Sequence, residues 1–152
     1  MKKNTYAIEH VVPHAHPMIL IDELLEYDDS KALCQLTITE NSNFYNSDTQ
    51  SVPNYVAIEY MAQSIAAFAN ANEKDKGGEV SIGFLVSSRK LKVLVKEFSL
   101  ASTLLVTVEQ LYSEENGLSA FDCKIEQADQ IVVEAKINIF QPNDAKAFLA
   151  EQ

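Results

Sequence analysis

The feature that most constrains this chain is one twenty-residue stretch, VPNYVAIEYMAQSIAAFANA, at residues 52–71. It is mostly apolar, and its only charged residue is Glu59. Pro53 suits a first helical turn, because its missing N–H would have no partner there. The polar, glycine-containing sequence NEKDKGGE then indicates the end of the helix. We therefore predict one helix over about residues 53–71, apolar on nearly every face.

Alternating apolar and polar residues predict strands on both sides of this helix. Residues 18–27 are mainly apolar, and a second strand follows at residues 32–38. After the helix, residues 79–95 predict one long or bent strand. Three further strands, at residues 103–112, 119–126 and 131–140, are separated by tight-turn sequences and predict a meander. This order predicts an α+β fold, an antiparallel sheet against one long helix.

A helix that is apolar all round needs more cover than one flat sheet provides. Either the sheet wraps around the helix, or a second subunit covers the remainder. The length of 152 residues is that of one domain, so we expect a single domain over residues 1–152.

Composition excludes several classes of protein. The formal net charge of −10 argues against nucleic-acid binding, which needs a basic surface. Apolar runs are interrupted by charged or polar residues, and no basic-then-apolar leader is present, so we expect no membrane span and a cytoplasmic protein. Cys34 and Cys123 lie in predicted strands without a second Cys or His at ligand spacing. Both are expected to be reduced core residues.

Glu59 is the candidate catalytic group. On a helix it shares a face with small residues such as Ala62 and Ala66. Removal from water disfavours the charged form of a carboxylate, which suits proton donation near neutral pH. The unpaired N–H groups near Asn54 and Tyr55 at the helix start would hold a developing oxyanion.

Other interpretations of these residues stay open at this point. Glu59 would equally be a partly buried carboxylate bonded to a loop or to a lysine such as Lys92. Gln63, one turn later, orients Glu59 or contacts the substrate. The residues alone thus predict an acid beside a helix start, without identifying a reaction.

The segment VPNYVAIEYMAQSIAA resembles the central helix of the hot-dog-fold 3-hydroxyacyl-[acyl-carrier-protein] dehydratases. Their pattern is Pro-Gly, a few apolar residues, then Glu-Ala-x-Ala-Gln, and Pro53, Glu59, Ala62 and Gln63 match it by position. VVPHAHPMILIDELLEY resembles the opening motif of the same family, and IGFLVSSRKLKV falls where its long strand ends in a basic segment. The closing sequence is most similar to the dehydratases of aryl-polyene biosynthetic clusters.

The resemblance implies a sheet wrapped around the helix, in dimers with active sites at the subunit interface. It also implies removal of water from a β-hydroxyacyl thioester to give the trans-2-enoyl thioester. Glu59 inherits the role of the acid that protonates or orients the leaving hydroxyl. By the same resemblance, Phe84 and Leu85 join Asn54, Tyr55 and Gln63 as substrate-binding or oxyanion residues.

The chain departs from the family at the loop before the helix. The family has a Gly-His-Phe-Pro-Gly loop whose His, from the facing subunit, handles the α-proton, whereas residues 43–54 read NFYNSDTQSVPN. Tyr45, Asn46 and Asp48 are the polar residues nearest to the missing position, and a desolvated Asp48 is the best base among them. His14 and His16 match a position that is not catalytic in the family, so we assign both a structural role.

Arg89, Lys90, Lys92 and Lys96 form a basic cluster in an otherwise acidic chain. The cluster would be either the solvated side of a strand or a docking site for acyl carrier protein, which is acidic. No metal or nucleotide motif occurs, so we expect no cofactor beyond the phosphopantetheine arm of the carrier.

Three functions remain open from the sequence. The first is a dehydratase with Glu59 as acid and an unusual base. The second is a catalytically reduced subunit that pairs with an active relative, so that the dimer is a heterodimer instead of a homodimer. The third is a hot-dog acyl thioesterase, which uses a helix carboxylate with water and needs no loop His.

Overall fold

The computed structural model describes residues 1–14 and 18–142. In chain order the elements are β1 Lys2–Lys3, a 3-10 turn Ile8–His10, β2 Glu23–Tyr27, β3 Lys31–Thr37, β4 Ser51–Pro53, a 3-10 turn Asn54–Val56, α1 Ala57–Asp75, β5 Phe84–Val93, β6 Glu97–Ser99, β7 Thr103–Ser113, β8 Leu118–Gln127 and β9 Gln130–Phe140. One long helix packs against a large antiparallel sheet. The predicted α+β class and hot-dog architecture are confirmed.

Seven strands form the large sheet, in the order β1-β2-β3-β7-β8-β9-β5, and all neighbours are antiparallel. The predicted meander is confirmed, because β7, β8 and β9 pair in succession. Every second residue faces the helix, as the alternating sequence predicts. The fully or nearly fully buried residues on this inner face include Ala32, Cys34, Leu36, Leu104, Val106, Val108, Phe121, Ile125, Val133 and Ile137.

The two sides of α1 differ in side-chain size. Tyr60, Met61, Ile65 and Phe68 are buried, and the ring of Phe68 meets that of Phe121 edge-on at 5.6 Å between centroids. A second stripe, at helical spacing, consists of smaller and polar residues that stay partly or fully exposed: Glu59, Ala62, Ala66, Ala69 and Glu73. The sheet of the described chain therefore leaves this stripe uncovered, which is the case in which a second subunit is expected to cover the remainder of the helix.

The helix is also longer than predicted. It continues to Asp75 rather than ending near residue 71, because the residues of NEKD include the good helix formers Glu and Lys. Gly77, at φ 80°, ends it, and its N–H bonds the carbonyl of Lys74. The helix therefore ends in the predicted polar, glycine-containing segment, but four residues later than predicted.

Two short strands that the sequence did not predict fix the start of the helix. β4 pairs with β6 in a separate two-stranded sheet, in which the fully buried Val52 and Phe98 lie opposite each other. The predicted strand at residues 79–95 is therefore shorter than expected, since β5 covers Phe84–Val93 and the chain then turns into β6. Three-residue strands carry too little alternation to be recognised from sequence.

Cys34 and Cys123 are free and buried, as predicted. Burial raises the pKa of the Cys34 thiol to about 12, so this thiol stays protonated and unreactive. Among the helices of the described chain, none is both long and apolar enough to cross a bilayer.

Candidate active site

Glu59 lies in the first turn of α1, on the wall of a groove of about 610 Å³. The groove follows the small-residue stripe, where Ala62, Ala66 and Ala69 leave space beside the helix. Phe121 and Ile139 of the sheet contribute to the opposite wall. The helix start, fixed by β4 and β6, therefore presents the carboxylate to a groove lined by both apolar and acidic side chains.

The Glu59 side chain is 47% exposed in the single chain. The resemblance places this carboxylate at a subunit interface, so its removal from water stays a prediction that a single chain does not test. The alternative of an ion pair with Lys92 is wrong: Lys92 lies opposite Glu134 of β9, on the sheet face turned away from the helix.

Gln63 is buried and joins the helix to the segment that precedes β2. Its amide oxygen accepts the N–H of Leu20 at 2.8 Å, and its amide nitrogen donates to the carbonyl of Met18 at 2.8 Å. The same nitrogen lies 3.5 Å from Oε1 of Glu59, at the outer limit of a hydrogen bond. Gln63 is therefore anchored by the backbone and neighbours the acid, which fits the orienting role expected of it.

His14 also lines the groove, and its Nε2 lies 3.9 Å from Oε1 of Glu59. The resemblance to the dehydratases gave His14 a structural role, because it matches a position that is not catalytic in that family. The side chain is 36% exposed. His16 lies outside the described residues.

The loop candidates stand apart from this groove. Asn46 and Asp48 are exposed, and the side-chain oxygen of Asn46 accepts the N–H of Asp48 at 2.8 Å. Tyr45 packs against the edge of the core. None of the three is among the described residues that line the groove of their own chain. Any contact with Glu59 would have to come from a second subunit.

The expected substrate-binding residues are only partly brought together. Leu85 lines the groove with Glu59. Phe84, the residue before it on β5, lies opposite Phe140 of β9 and does not line the groove. Tyr55 is 70% exposed, and the Asn54 side chain donates to the carbonyl of Val95 at 3.0 Å. Neither Asn54 nor Tyr55 lines the groove within the described chain, so their oxyanion role stays a prediction.

The basic cluster is divided between two places. Arg89 lies opposite Lys136, and Lys92 opposite Glu134, so both point to the outer face of the sheet. Lys90 and Lys92 border a depression of about 430 Å³ on that face. Lys96 instead precedes β6, whose Glu97 pairs with Pro53 at the helix start. The cluster is continuous in sequence but not on one surface.

A second polar cluster, at the far end of α1, was missed by the sequence analysis. Asp75 accepts hydrogen bonds from Lys2 at 2.7 Å, Tyr6 at 2.6 Å and Tyr27 at 2.7 Å. The bond from Lys2, followed by those from the two tyrosines, lowers the pKa of Asp75 to about 2. These residues are too far apart in sequence for any local signal to join them.

No group of three or more His, Cys, Asp or Glu side chains within residues 1–14 and 18–142 is placed to hold a metal ion. Of the titratable groups that line the groove, the carboxylate of Glu59 and the imidazole of His14 lie 3.9 Å apart.

Comparison with known proteins gives the family. The chain is similar to the 3-hydroxyacyl-[acyl-carrier-protein] dehydratase FabZ of Psychrobacter arcticus, with 24% identity over 140 residues, which is 88% of this chain and 93% of that protein. FabZ of Acinetobacter baylyi is 24% identical over 142 residues, covering 90% and 93% of the two chains.

Two solved structures are also similar. A chain of the dehydratase heterocomplex ApeI:P from Xenorhabdus doucetiae is 25% identical with a TM-score of 0.89, over 98% of this chain and 99% of that one. A hypothetical thioesterase with coenzyme A from Streptococcus pneumoniae is 14% identical with a TM-score of 0.58, over 78% and 84%. The second likeness shows the fold alone.

The family model described as ApeP-like, ApeP dehydratase, matches residues 6–150, which is nearly the whole chain. This agrees with the resemblance to the dehydratases of aryl-polyene clusters that the sequence itself indicates. The chain therefore belongs to the ApeP-like dehydratase family.

Proposed function

We propose that this chain is a 3-hydroxyacyl-[acyl-carrier-protein] dehydratase, which removes water from a β-hydroxyacyl thioester to give the trans-2-enoyl thioester in fatty-acid or polyene biosynthesis. One observation carries the proposal: Glu59 stands in the first helical turn on the wall of a groove of about 610 Å³. The similar FabZ proteins and the ApeI:P heterocomplex support it.

The groove suits a thioester with an apolar acyl chain. Its volume falls within the range of ~300 to 1,000 Å³ common for small-molecule sites. The alanines beside Glu59 let a chain lie against the helix, while Glu59 itself reaches the β-hydroxyl. We propose that the substrate arrives on the phosphopantetheine arm of acyl carrier protein, that no other cofactor is needed, and that the protein is cytoplasmic.

We propose that a second subunit of related fold closes the groove. β5 is an edge strand of the sheet, and apolar residues on or beside it are exposed, among them Leu85 at 46%, Leu91 at 48% and Leu94 at 70%. A long edge with apolar side chains favours pairing with another chain. The ApeI:P heterocomplex suggests a related hot-dog dehydratase as that subunit, and a second copy is the alternative.

The dimer is tested by placing charges on this edge. Leu91→Asp combined with Leu94→Asp should convert the dimer into a monomer in light scattering. Burying two charged carboxylates in the interface would cost free energy that the apolar leucines do not. Leu111→Asp is the matched control, since Leu111 is equally exposed at 44% but lies on β7, inside the sheet. A double variant that remains dimeric places the interface elsewhere.

Glu59→Gln tests the catalytic proposal. It keeps the size of the side chain but removes the ionisable carboxyl, and should lower kcat about 100-fold or more without changing the fold. Glu73→Gln is the matched control, because Glu73 lines the same groove on the same helical stripe. Unchanged dehydration in Glu59→Gln, assayed alone and with a related subunit, would remove Glu59 from the mechanism.

A catalytically reduced subunit is the second candidate, favoured by the absence of His from residues 43–54. In that case the chain would lend Glu59 to a mixed active site. Purified protein would then dehydrate only after a related hot-dog subunit is added. Release of free thiol without enoyl product in the same assay would instead identify a thioesterase.

Docking of acyl carrier protein at the basic cluster is tested by charge reversal. Arg89→Glu with Lys90→Glu should weaken carrier-bound substrates more than small thioester analogues, because only the carrier meets these charges. Lys96→Glu, made separately, tests docking at the helix start. It should weaken carrier-bound substrates in the same selective way if the carrier binds there. An equal loss on both kinds of substrate refutes the docking role.

A further inference from the structure

Dehydration needs a second proton-handling group, and the loop that supplies it in similar dehydratases contains no His in this chain. We propose that His14 is the catalytic base that removes the α-proton, acting beside Glu59 of the same chain. The inference rests on the proposed dehydratase function. It replaces the structural role that the resemblance gave to His14.

The geometry brings base and acid to the same wall. Nε2 of His14 lies 3.9 Å from Oε1 of Glu59, and both side chains line the groove. A thioester in this groove would present its α- and β-carbons, which are one bond apart, to the two groups together. By contrast, Tyr45, Asn46 and Asp48 do not line it in their own chain.

Two buried amides of the helix bind the backbone on either side of His14. Asn70 donates to the carbonyl of Val11 at 2.9 Å, and Gln63 binds the backbone of Met18 and Leu20 at the other end of the same segment. Val11 and Val12, just before His14, are 0% and 1% exposed. Residue 11 and residues 18–20 are therefore each bound to the helix, which favours a preorganised position for His14, as catalysis requires.

The imidazole itself is only partly buried. It is 36% exposed, and within the described residues it donates or accepts no hydrogen bond. A histidine with a structural role would have its nitrogens satisfied by backbone or buried side chains. This imidazole is instead open to a ligand in the groove.

The charged surroundings of His14 are acidic. Glu59 faces it from the helix, and the other titratable side chains that line the groove are carboxylates: Glu73, Glu79, Glu114 and Glu115. No Lys or Arg is among the described lining residues. His14 is thus the one imidazole available there to accept a proton from carbon.

The step balances with these two groups alone. The imidazole of His14 takes the α-proton, and the electron pair of the C–H bond forms the double bond between the α- and β-carbons. The bond from the β-carbon to oxygen breaks, and the hydroxyl leaves as water with the proton of Glu59. Rotation of either side chain, or one water, then returns the proton from His14 to Glu59 across the 3.9 Å gap.

Exchange of the α-proton with D₂O isolates the base from the acid. The wild-type chain and its Glu59→Gln variant should both exchange the α-proton of a 3-hydroxyacyl thioester, although the variant releases water more slowly, by about 100-fold or more. His14→Gln should lower both exchange and dehydration about 100-fold or more, with little change in KM. His10→Gln, which changes an exposed histidine outside the groove, should match wild type.

The outcomes separate the two proposals. Full dehydration in His14→Gln, alone or with a related subunit, overturns the role of His14 but leaves the dehydratase proposal standing. Absence of dehydration by the wild-type chain in both settings overturns the dehydratase proposal, and with it this one. A second variant, His14→Asn, and equal melting temperatures for all variants exclude loss of fold as the cause of any decrease.

Discussion

The two ends of the central helix each carry a carboxylate, and the two carboxylates differ in their hydrogen bonds and in their exposure. Asp75 accepts three hydrogen bonds from Lys2, Tyr6 and Tyr27 at 2.6 to 2.7 Å. Oε1 of Glu59 lies 3.5 Å from a nitrogen of Gln63 and 3.9 Å from one of His14. The side chain of Glu59 is also more exposed, at 47% against 28%.

This difference separates a structural carboxylate from one that is available for chemistry. The donors around Asp75 favour its ionised form and hold its pKa near 2, so it stays charged across the physiological range. The oxygens of Glu59 keep room for a substrate hydroxyl, with a groove beside them. The chain therefore fastens one end of the helix with hydrogen bonds and leaves the other end open to a ligand.

Among variants that compare the two ends of the helix, the largest effect is expected when the acid is moved without being removed. Glu59→Asp keeps the carboxyl but withdraws it by one methylene, which should lower kcat about 100-fold, since a displacement of about 1 Å is enough for such a loss. The melting temperature should stay unchanged, because Glu59 makes no close hydrogen bond. Steady-state kinetics and thermal unfolding of the same preparation check both parts.

Asp75→Glu is the counterpart at the other end of the helix. It should leave kcat unchanged and lower the melting temperature, because the longer side chain misplaces the three-donor arrangement. A change in kcat of equal size in both variants would show that the two ends do not divide their roles in this way.

Gln63→Leu should have the next largest effect. It removes the partners of the Leu20 N–H and the Met18 carbonyl, and a partly buried group left unsatisfied costs ~1 to 3 kcal/mol. The free energy of unfolding should fall by about 2 kcal/mol in urea titration. Activity should fall as well, because the segment carrying His14 loses one of its two anchors.

The helix and the main strands were predictable because each follows from the local pattern of apolar and polar residues. Strands at residues 103–112, 119–126 and 131–140 agree with β7, β8 and β9 to within one residue at each end. The failures have physical causes. β4 and β6 are three residues long, and the helix runs past residue 71 because charged residues are also good helix formers.

The site was only half predictable for a related reason. Glu59 and Gln63 are one turn apart on a helix, so sequence spacing places them together. His14 meets Glu59, and Lys2 meets Asp75, only through tertiary packing between distant segments. The exposure of Glu59 in a single chain is compatible with the expected second subunit, but the sequence of one chain does not contain the surface that would cover the groove.

A smaller effect, dependent on pH, is expected for Asp75→Asn. The folded-state pKa of Asp75, about 2, lies below its ordinary value of 3.8. The stabilisation is therefore fully present above pH ~4 and is lost as the pH falls towards 2. At pH 7 the variant should melt about 2 to 4 °C below wild type, and the difference should shrink between pH 4 and pH 2. A constant difference across that window would place the stabilisation in packing instead of charge.

The smallest effect should come from Tyr6→Phe. Tyr6 gives Asp75 one of its three hydrogen bonds, at 2.6 Å, in an exposed setting where water replaces the lost donor. We expect the melting temperature to change by about 1 °C or less. Tyr27→Phe is the matched comparison, because Tyr27 also bonds Asp75 but is only 3% exposed. It should destabilise the chain more than Tyr6→Phe does, since fewer waters can reach the carboxylate from that side. An equal fall in melting temperature in the two variants would mean that the burial of a donor does not affect how much its hydrogen bond to Asp75 stabilises the chain. The stabilisation at this end of the helix would then come from charge alone.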